Sequence, residues 1–154
     1  MDNVAYVKLV QKGVALQGQS IAPGWINWIE VLSVKYEMAT PKAGEQTARR
    51  DQVVEIVKEF DSVSAALAQA ALHNTLFDSM TIDIVRTYRD GKPPERALRL
   101  EFTGLTVASI STQTPDRRNP GDLGPTTQRV TFKFASAKST VPPNPHAGKD
   151  DWRQ

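Results

Sequence analysis

Apolar and polar residues alternate along much of the chain, which is the pattern of β-strands that have one buried and one wetter face. The apolar sets that share a face are Val54, Ile56 and Phe60 in segment 51–60, Met80, Ile82 and Ile84 in segment 78–88, and Val130, Phe132 and Phe134 in segment 128–134. Each segment is of ordinary strand length. The pattern predicts a protein built mainly of β-strands.

The longest alternating segment, 97–110, changes its apolar parity partway along. Leu98, Leu100 and Phe102 occupy even positions, but the next apolar residues, Leu105 and Val107, occupy odd ones. An extra residue in a strand produces such a shift and bends the strand. We therefore predict a β-bulge at Gly104, and a bend of this kind suits a closed barrel better than a flat sheet.

One helix is predicted between the strands, from about residue 62 to residue 76. The segment is rich in alanine, and Asp61 or Ser62 is available as the N-cap. Val63, Leu67 and Ala70 form an apolar stripe on it. Segment 89–94 is expected to be a hairpin loop, and segment 115–125 a longer surface loop.

Length and composition restrict the class of protein. The 154 residues suit one domain, and the absence of cysteine excludes disulfides and thiolate metal sites. A net charge of +2 with interspersed signs is a weak footprint for nucleic acid. The start of the chain lacks a basic signal-peptide region, and its apolar runs are too short for a membrane helix. We expect one domain over residues 1–137 and a disordered, proline-rich tail over residues 138–154.

Chemistry-bearing residues are few. The two histidines, His73 and His146, have no partners at metal-ligand spacing, so no metal site is predicted. Glu30 is a single carboxylate among apolar strand residues, which is weak support for an acid or base catalyst. Trp25 and Trp28 could form a ligand platform, but such residues more often fill a core or anchor an interface. We predict no catalytic residues and no cofactor.

The order of these segments is similar to that of a known family. The similarity rests on the strand 6–9, the string Trp-Ile-Glu-Val-Leu-Ser at 28–33, the polar loop 39–50, and the strand that ends at 57–61. The helix and the two long strands follow in the same order, so residues 3–137 are covered. The chain resembles the Hcp family, the ring-forming tube proteins of bacterial type VI secretion.

This resemblance implies an antiparallel β-barrel of two packed sheets with one flanking α-helix, similar to phage tail tubes. It implies hexameric rings that stack into a tube, a contractile sheath with spike and baseplate proteins as partners, and small effector proteins in the lumen. It implies no nucleic acid partner, no membrane insertion, and export from the cytoplasm without a signal peptide. The candidate subunit-interface residues are Trp28, Glu30, Pro41, Lys42, Ala43, Gly44, Glu45, Gln46, Thr47, Arg49 and Arg50.

Other functions remain open from the residues alone. A monomeric β-sandwich could present Trp25, Trp28 and the loop 115–125 to a ligand. A hydrolase would need an acid and base pair, of which Glu30 and Asp83 are the nearest candidates. A contractile phage-like tail tube would share the architecture expected for the Hcp family. The alternatives differ in oligomeric state, in activity and in the genes that surround them.

Overall fold

The computed structural model describes residues 2–37, 52–121 and 124–142, and in these residues it contains strands and a single helix. The strands range from two to 19 residues in length. The elements are β1 Asp2–Gln11, β2 Val14–Ala15, β3 Ile29–Val31, β4 Ser33–Glu37, β5 Val53–Glu59, α1 Ser62–Leu72, β6 Phe77–Thr87, β7 Glu95–Gln113, β8 Thr127–Lys133 and β9 Ser136–Thr140.

All strand pairings are antiparallel, and the strands follow the order β2-β1-β6-β7-β8-β5-β4. Off this path, β3 pairs with β1 and β9 pairs with β7. The predicted hairpin loop at 89–94 does connect the antiparallel strands β6 and β7. A mainly β, antiparallel fold with one helix is therefore confirmed. The strand order runs from β2 to β4 and does not by itself describe a closed barrel.

The core lies on the alternating face that the sequence indicated. Val130 and Phe132 of β8 are fully buried, and the Phe132 ring meets the Phe77 ring edge-on at 6.2 Å between centroids. Lys133, the next residue, is exposed. The predicted parity of the last long strand is therefore correct.

The parity of β7 changes at Gly104, but no bulge lies there. Phe102 and Leu105 are both buried, and they stand opposite Met80 and Phe77 of β6 without a shift in register. Both strands therefore change their buried face together. The backbone of Gly104 has φ +64°, and a Cβ on this residue would lie 2.9 Å from the Cβ of Ala135. A left-handed glycine rotates the strand here without inserting an extra residue.

The predicted bulge at Gly104 is therefore wrong, and the register shifts of β7 lie elsewhere. One shift occurs against β6 between Ile84 and Val85, and the other against β8 between Val107 and Ser109. These shifts flank the bend on either side along β7. A change from even to odd apolar positions in the sequence does not distinguish a β-bulge from a residue with left-handed backbone. Both shift the buried face of the strand by one position.

The end of β5 differs from the prediction. Phe60, expected on the core face with Val54 and Ile56, is 53% exposed, whereas Lys58 is completely buried. The chain leaves the sheet after Glu59 to begin the helix, so the strand parity no longer applies at Phe60. Position 58 has the same parity as Val54 and Ile56, but burial of its lysine was not predicted.

The helix begins where the sequence indicated. The Asp61 side chain accepts a hydrogen bond from the Val63 backbone N–H, and the Ser64 hydroxyl accepts one from the Asp61 N–H. The stripe of Val63, Leu67 and Ala70 is buried, as predicted. The helix ends at Leu72 rather than at residue 76, because β6 already begins at Phe77.

The strand β9 was not predicted. Its residues Ser136–Thr140 pair with residues 99–103 of β7, so the sheet extends into residues 138–140 of the predicted tail. Its composition is polar and small, which gives no apolar alternation to read. The tail beyond residue 142 lies outside the described residues.

The core assignment predicts the effect of truncating Phe132. Replacing Phe132 with Ala should lower the free energy of unfolding by about 3–5 kcal/mol, because it removes a buried ring and leaves a cavity. Replacing its exposed neighbour Lys133 with Ala should change it by no more than about 0.5 kcal/mol. Denaturant melts of the two variants measure both values. Equal losses at the two positions would contradict the strand parity.

A second pair of variants tests the bend in β7. Gly104 and Gly91 both have positive φ, +64° and +85°, but only Gly104 has an atom near the position of an added Cβ. Alanine should cost about 1–2 kcal/mol at either position for the left-handed backbone. Gly104→Ala should cost more than Gly91→Ala, because it also meets Ala135. Similar losses in denaturant melts would show that the close approach does not matter.

Candidate functional site

A row of polar side chains crosses four neighbouring strands on the face opposite the core. Glu30 of β3 is paired with Tyr6 of β1, Tyr6 with Asp83 of β6, and Asp83 with Arg99 of β7. Directly opposed residues of antiparallel strands project from the same face of a sheet. The four side chains therefore lie side by side across the sheet.

Asp83 is the fully buried member of this row. Arg99 holds its carboxylate with two hydrogen bonds, from Nε to Oδ1 at 2.7 Å and from Nη2 to Oδ2 at 2.8 Å. Burial raises the pKa of Asp83, but the hydrogen bonds from Arg99 and Trp25 and the charges of Arg99 and Arg96 outweigh it. The pKa of Asp83 therefore lies below its ordinary value, and the carboxylate is charged at neutral pH.

The third donor to Asp83 comes from the segment 16–28 between β2 and β3, which we call the strap. The Trp25 indole Nε1 donates to Asp83 Oδ2 at 2.8 Å, and the indole ring stacks on the Tyr6 ring at 5.4 Å between centroids. Burial and the nearby Glu30 charge raise the pKa of Tyr6. Through this hydrogen bond and this stacking, Trp25 therefore connects the strap to the row of polar residues.

Gly18 lets the two ends of the strap come together. A Cβ at this position would lie 2.2 Å from the carbonyl oxygen of Trp28, so any larger residue would collide with backbone. The Gly18 N–H donates to the Asn27 carbonyl, and the Ser20 N–H donates to the Trp28 carbonyl. The strap is thus a loop with its own hydrogen bonds.

A cavity of about 200 Å³ lies beside the strap. Its lining residues come from the strap, from β3 and the residue after it, and from the turn between β5 and α1, and they are Gln19, Ser20, Glu30, Leu32, Glu59 and Asp61. The Gln19 amide also donates to the Ser62 hydroxyl at 3.2 Å, which links the strap to the start of the helix. The cavity is polar and acidic.

Lys58 lies next to Glu59 and Asp61, the acidic residues of the turn before α1. The sequence did not lead us to predict its role. Its ammonium group donates to Asp61 Oδ1 at 2.6 Å, to the Glu59 carbonyl at 2.8 Å and to the Ser64 hydroxyl at 3.0 Å. All three N–H bonds are therefore satisfied, which a completely buried ammonium group requires. A charged residue at a core-parity position was the signal that could have identified this network.

Two of the predicted interface residues can be placed. Trp28 is half-buried at the end of the strap, and Glu30 is exposed and lines the cavity. The remaining candidates lie outside the described residues, and they are Pro41, Lys42, Ala43, Gly44, Glu45, Gln46, Thr47, Arg49 and Arg50. The structure brings Trp28 and Glu30 to the same region as Trp25. The indole of Trp25 is engaged by Tyr6 and Asp83, so it does not form a free ligand platform.

The described residues contain no group of three metal-ligating side chains placed to hold an ion. His73 caps the end of α1, and its Nε2 lies 3.1 Å from the Gln69 Oε1. Within the same described ranges, no helix has the length and apolar character needed to cross a membrane. The hydrogen bonds of Trp25, Gln19 and Lys58 hold the strap and the start of α1 against the sheet.

Comparison with known proteins agrees with the fold. The chain is similar to a crystal structure of Hcp1 from Salmonella typhimurium, with a TM-score of 0.71, 19% identity, and coverage of 92% of this chain and 87% of that chain. A crystal structure described as an Hcp protein has a TM-score of 0.73 at 14% identity, over 99% of both chains. The secreted protein Hcp3 from Pseudomonas aeruginosa has a TM-score of 0.64 at 15% identity, over 93% of this chain and 100% of that chain. At these identities the structures establish a shared fold.

Family membership rests on a separate comparison. No curated protein sequence matches the chain significantly. A family model described as "Type VI secretion system effector, Hcp" matches residues 6–141, which is most of the chain. The chain therefore belongs to the Hcp family, and it is a tube subunit of the type VI secretion system.

Proposed function

We propose that this chain assembles into a homohexameric ring, and that rings stack into the tube that a contractile sheath expels. The observation that carries the proposal is the family match over residues 6–141. The surface of the described residues supports it, because large apolar side chains remain exposed at several places, among them Ile21, Leu32 and Phe60. Exposed apolar groups of this kind often mark contacts between proteins.

We also propose that the sheet closes as a barrel through the segment 29–37. The first half of this segment pairs with β1 as β3, and the second half pairs with β5 as β4. Between them, the Leu32 N–H donates to the Val57 carbonyl at 2.6 Å. One continuous piece of chain thus includes β4, at one end of the strand order, and pairs through β3 with β1, next to the other end. Closure would remove two strand edges that could otherwise pair with the wrong partner.

The candidate interface comprises Trp28, Glu30 and the loop 39–50. Glu30 supports this assignment, because its side chain is exposed and lines the cavity. The loop carries Glu45, Arg49 and Arg50, which could pair across an interface and set the register between subunits. We assign the loop to contacts between neighbouring subunits or stacked rings.

The remaining partners follow from the same function. We propose that spike, baseplate and sheath proteins contact the assembled tube, and that small effector proteins occupy its lumen. Assembly would take place in the bacterial cytoplasm, and export would occur by sheath contraction without a signal peptide. The role is structural, and it requires neither catalysis nor a cofactor.

The proposed ring predicts a defined oligomeric state. At micromolar concentration the purified protein should have a mass of six times the 17.0 kDa of one chain, as measured by light scattering coupled to size exclusion. Heterologous contacts between identical subunits close into rings when the rotation allows it. A monomer under several salt conditions would favour the alternative of a monomeric binding module and would overturn the ring.

A further prediction concerns the loop 39–50. Replacing Lys42–Thr47 with a short Gly-Ser link should leave the circular dichroism spectrum unchanged, because the segment offers no apolar anchor for the core. Ring formation, ring stacking or export should be weakened. Light scattering, electron microscopy of tubes and a secretion assay measure these three effects.

A matched control is the hairpin loop 89–94, which is also polar and exposed at its tip. Shortening that loop to the same Gly-Ser link should leave assembly at the level of the parent protein. If the shortened 42–47 variant assembles and is exported like its parent, the interface assignment fails. The ring itself is judged separately, by the mass of the unaltered protein.

A further inference from the structure

Most side chains of the strap, residues 16–28, are exposed or only partly buried, and its first residue, Leu16, packs against the edge of the hydrophobic core. Of its residues only Ser20 is buried, and its two isoleucines, Ile21 and Ile26, are 89% and 61% exposed. Several of its backbone hydrogen bonds stay within the strap, such as those from Gly18 and from Asn27. Segments with few buried apolar contacts open locally at a lower free energy than the core. The strap therefore has the properties of a separate opening unit.

Its attachments are few. At its first residue, the Leu16 N–H donates to the Leu9 carbonyl at 2.8 Å. Near the helix, the Gln19 amide donates to the Ser62 hydroxyl in an exposed hydrogen bond. Of the two side-chain hydrogen bonds from the strap to the rest of the described fold, that of the Trp25 indole reaches a buried acceptor, the carboxylate of Asp83. A hydrogen bond to a charged, buried acceptor is stronger than an exposed neutral one.

We propose that the strap opens from the sheet as a unit, and that the Asp83 carboxylate is the latch that keeps it closed. Opening uncovers Tyr6, on which the indole stacks, and removes the wall of the cavity that Gln19 and Ser20 form. Opening of the strap is a property of the single chain. It does not depend on ring formation.

The arrangement of Asp83 explains why opening is possible without unfolding. When Trp25 leaves, the carboxylate retains both hydrogen bonds from Arg99, so no unpaired charge is left in the sheet. Water can replace the indole N–H at Oδ2. The charged and titratable groups that face Asp83 are Arg99, Arg96 and Tyr6, and none of them belongs to the strap. The sheet therefore stays intact while the latch is released.

Opening would change the surface next to the candidate interface. Trp28 is the last residue of the strap, and Glu30 follows it by two positions. The Trp28 N–H donates to the Trp25 carbonyl, so movement of Trp25 moves the backbone that leads to both residues. A closed strap presents one fixed surface, and an open strap presents another.

The test uses the absence of cysteine in the chain, because a single introduced thiol then reports one position. Ser20→Cys introduces a strap thiol at a position that is 5% exposed when the strap is closed, and Ala70→Cys introduces a helix thiol at a position that is 6% exposed in α1. The rate of labelling by a thiol reagent measures how often each position opens. The helix thiol reports opening of the core rather than of the strap.

The latch is weakened by Trp25→Phe, which keeps an aromatic ring for Tyr6 but removes the N–H donor. Added to the Ser20→Cys protein, this change should make labelling of the strap thiol about 10–100 times faster, as expected for loss of a hydrogen bond to a charged group. Added to the Ala70→Cys protein, it should leave labelling of the helix thiol unchanged. Trp28→Phe is the matched control, because it makes the same substitution in the strap without touching Asp83. Since Trp28 is also a candidate interface residue, the variants and the parent are compared at the same oligomeric mass, measured by light scattering. It should leave the strap thiol rate near that of the parent.

Three results would overturn the proposal. An unchanged strap thiol rate in Trp25→Phe would mean that Asp83 does not hold the strap. An equal increase at the strap thiol and the helix thiol would mean that the whole domain loosens. An equal effect of Trp28→Phe would mean that the indole hydrogen bond is not the latch.

Hydrogen exchange of the unaltered protein gives a measurement that requires no variant. The Leu16 amide donates to the Leu9 carbonyl, so opening of the strap breaks its hydrogen bond to the sheet. Its exchange rate should exceed that of the β6 amides, which lie in the centre of the sheet. A Leu16 amide that exchanges as slowly as those of β6 would also contradict a separate opening unit.

Discussion

The fold depends on the bend in β7 at Gly104. This strand pairs with β6 along one edge and with β8 and β9 along the other, so the sheet is organised around it. A strand of this length must turn its buried face partway along, because the core lies on different sides of its two halves. The buried face changes at Gly104, where Ala135 lies so close that a Cβ on residue 104 would collide with it. Glycine, which lacks a Cβ, leaves room for Ala135 there. The partner strand β6 changes its buried face at the same level, which keeps the register intact.

Two buried charges attach the irregular parts of the chain to this sheet. Asp83 holds the strap through Trp25, and Lys58 holds the start of α1 through Asp61 and Ser64. Each charge is paired and hydrogen-bonded, so burial does not leave an uncompensated ion. Such contacts are directional, and they fix a loop or helix in one orientation where apolar packing would allow several.

These attachments bear on assembly. A tube subunit must present the same surface in every copy, because an error in one contact is repeated in every ring. The proposed interface residues Trp28 and Glu30 lie at the end of the strap and directly after it, and Glu30 lines the cavity between the strap and the helix turn. A strap that is closed by one buried carboxylate would give this surface a defined shape while leaving a route to change it.

The sequence by itself determined the class of fold and the family. Alternation predicted the strands and the buried positions of Phe132 and Val130, and the cap at Asp61 predicted the start of the helix. The order of these elements was enough to indicate the Hcp family, which the match over residues 6–141 established. These features are local, or they depend on order along the chain, so a sequence carries them directly.

Only the tertiary structure decided which polar residues are buried and what they hold. Asp83 lies on the face of β6 opposite the core, and Lys58 lies on the core side of β5, yet both are completely buried. Their partners are distant in sequence or depend on where the chain turns. The pairing of Trp25 with Asp83 joins residues that are 58 positions apart. Likewise, β9 has no apolar alternation and becomes a strand because the edge of β7 offers it hydrogen bonds. Burial and pairing of this kind follow from contacts across the sheet, which periodicity along the chain does not encode.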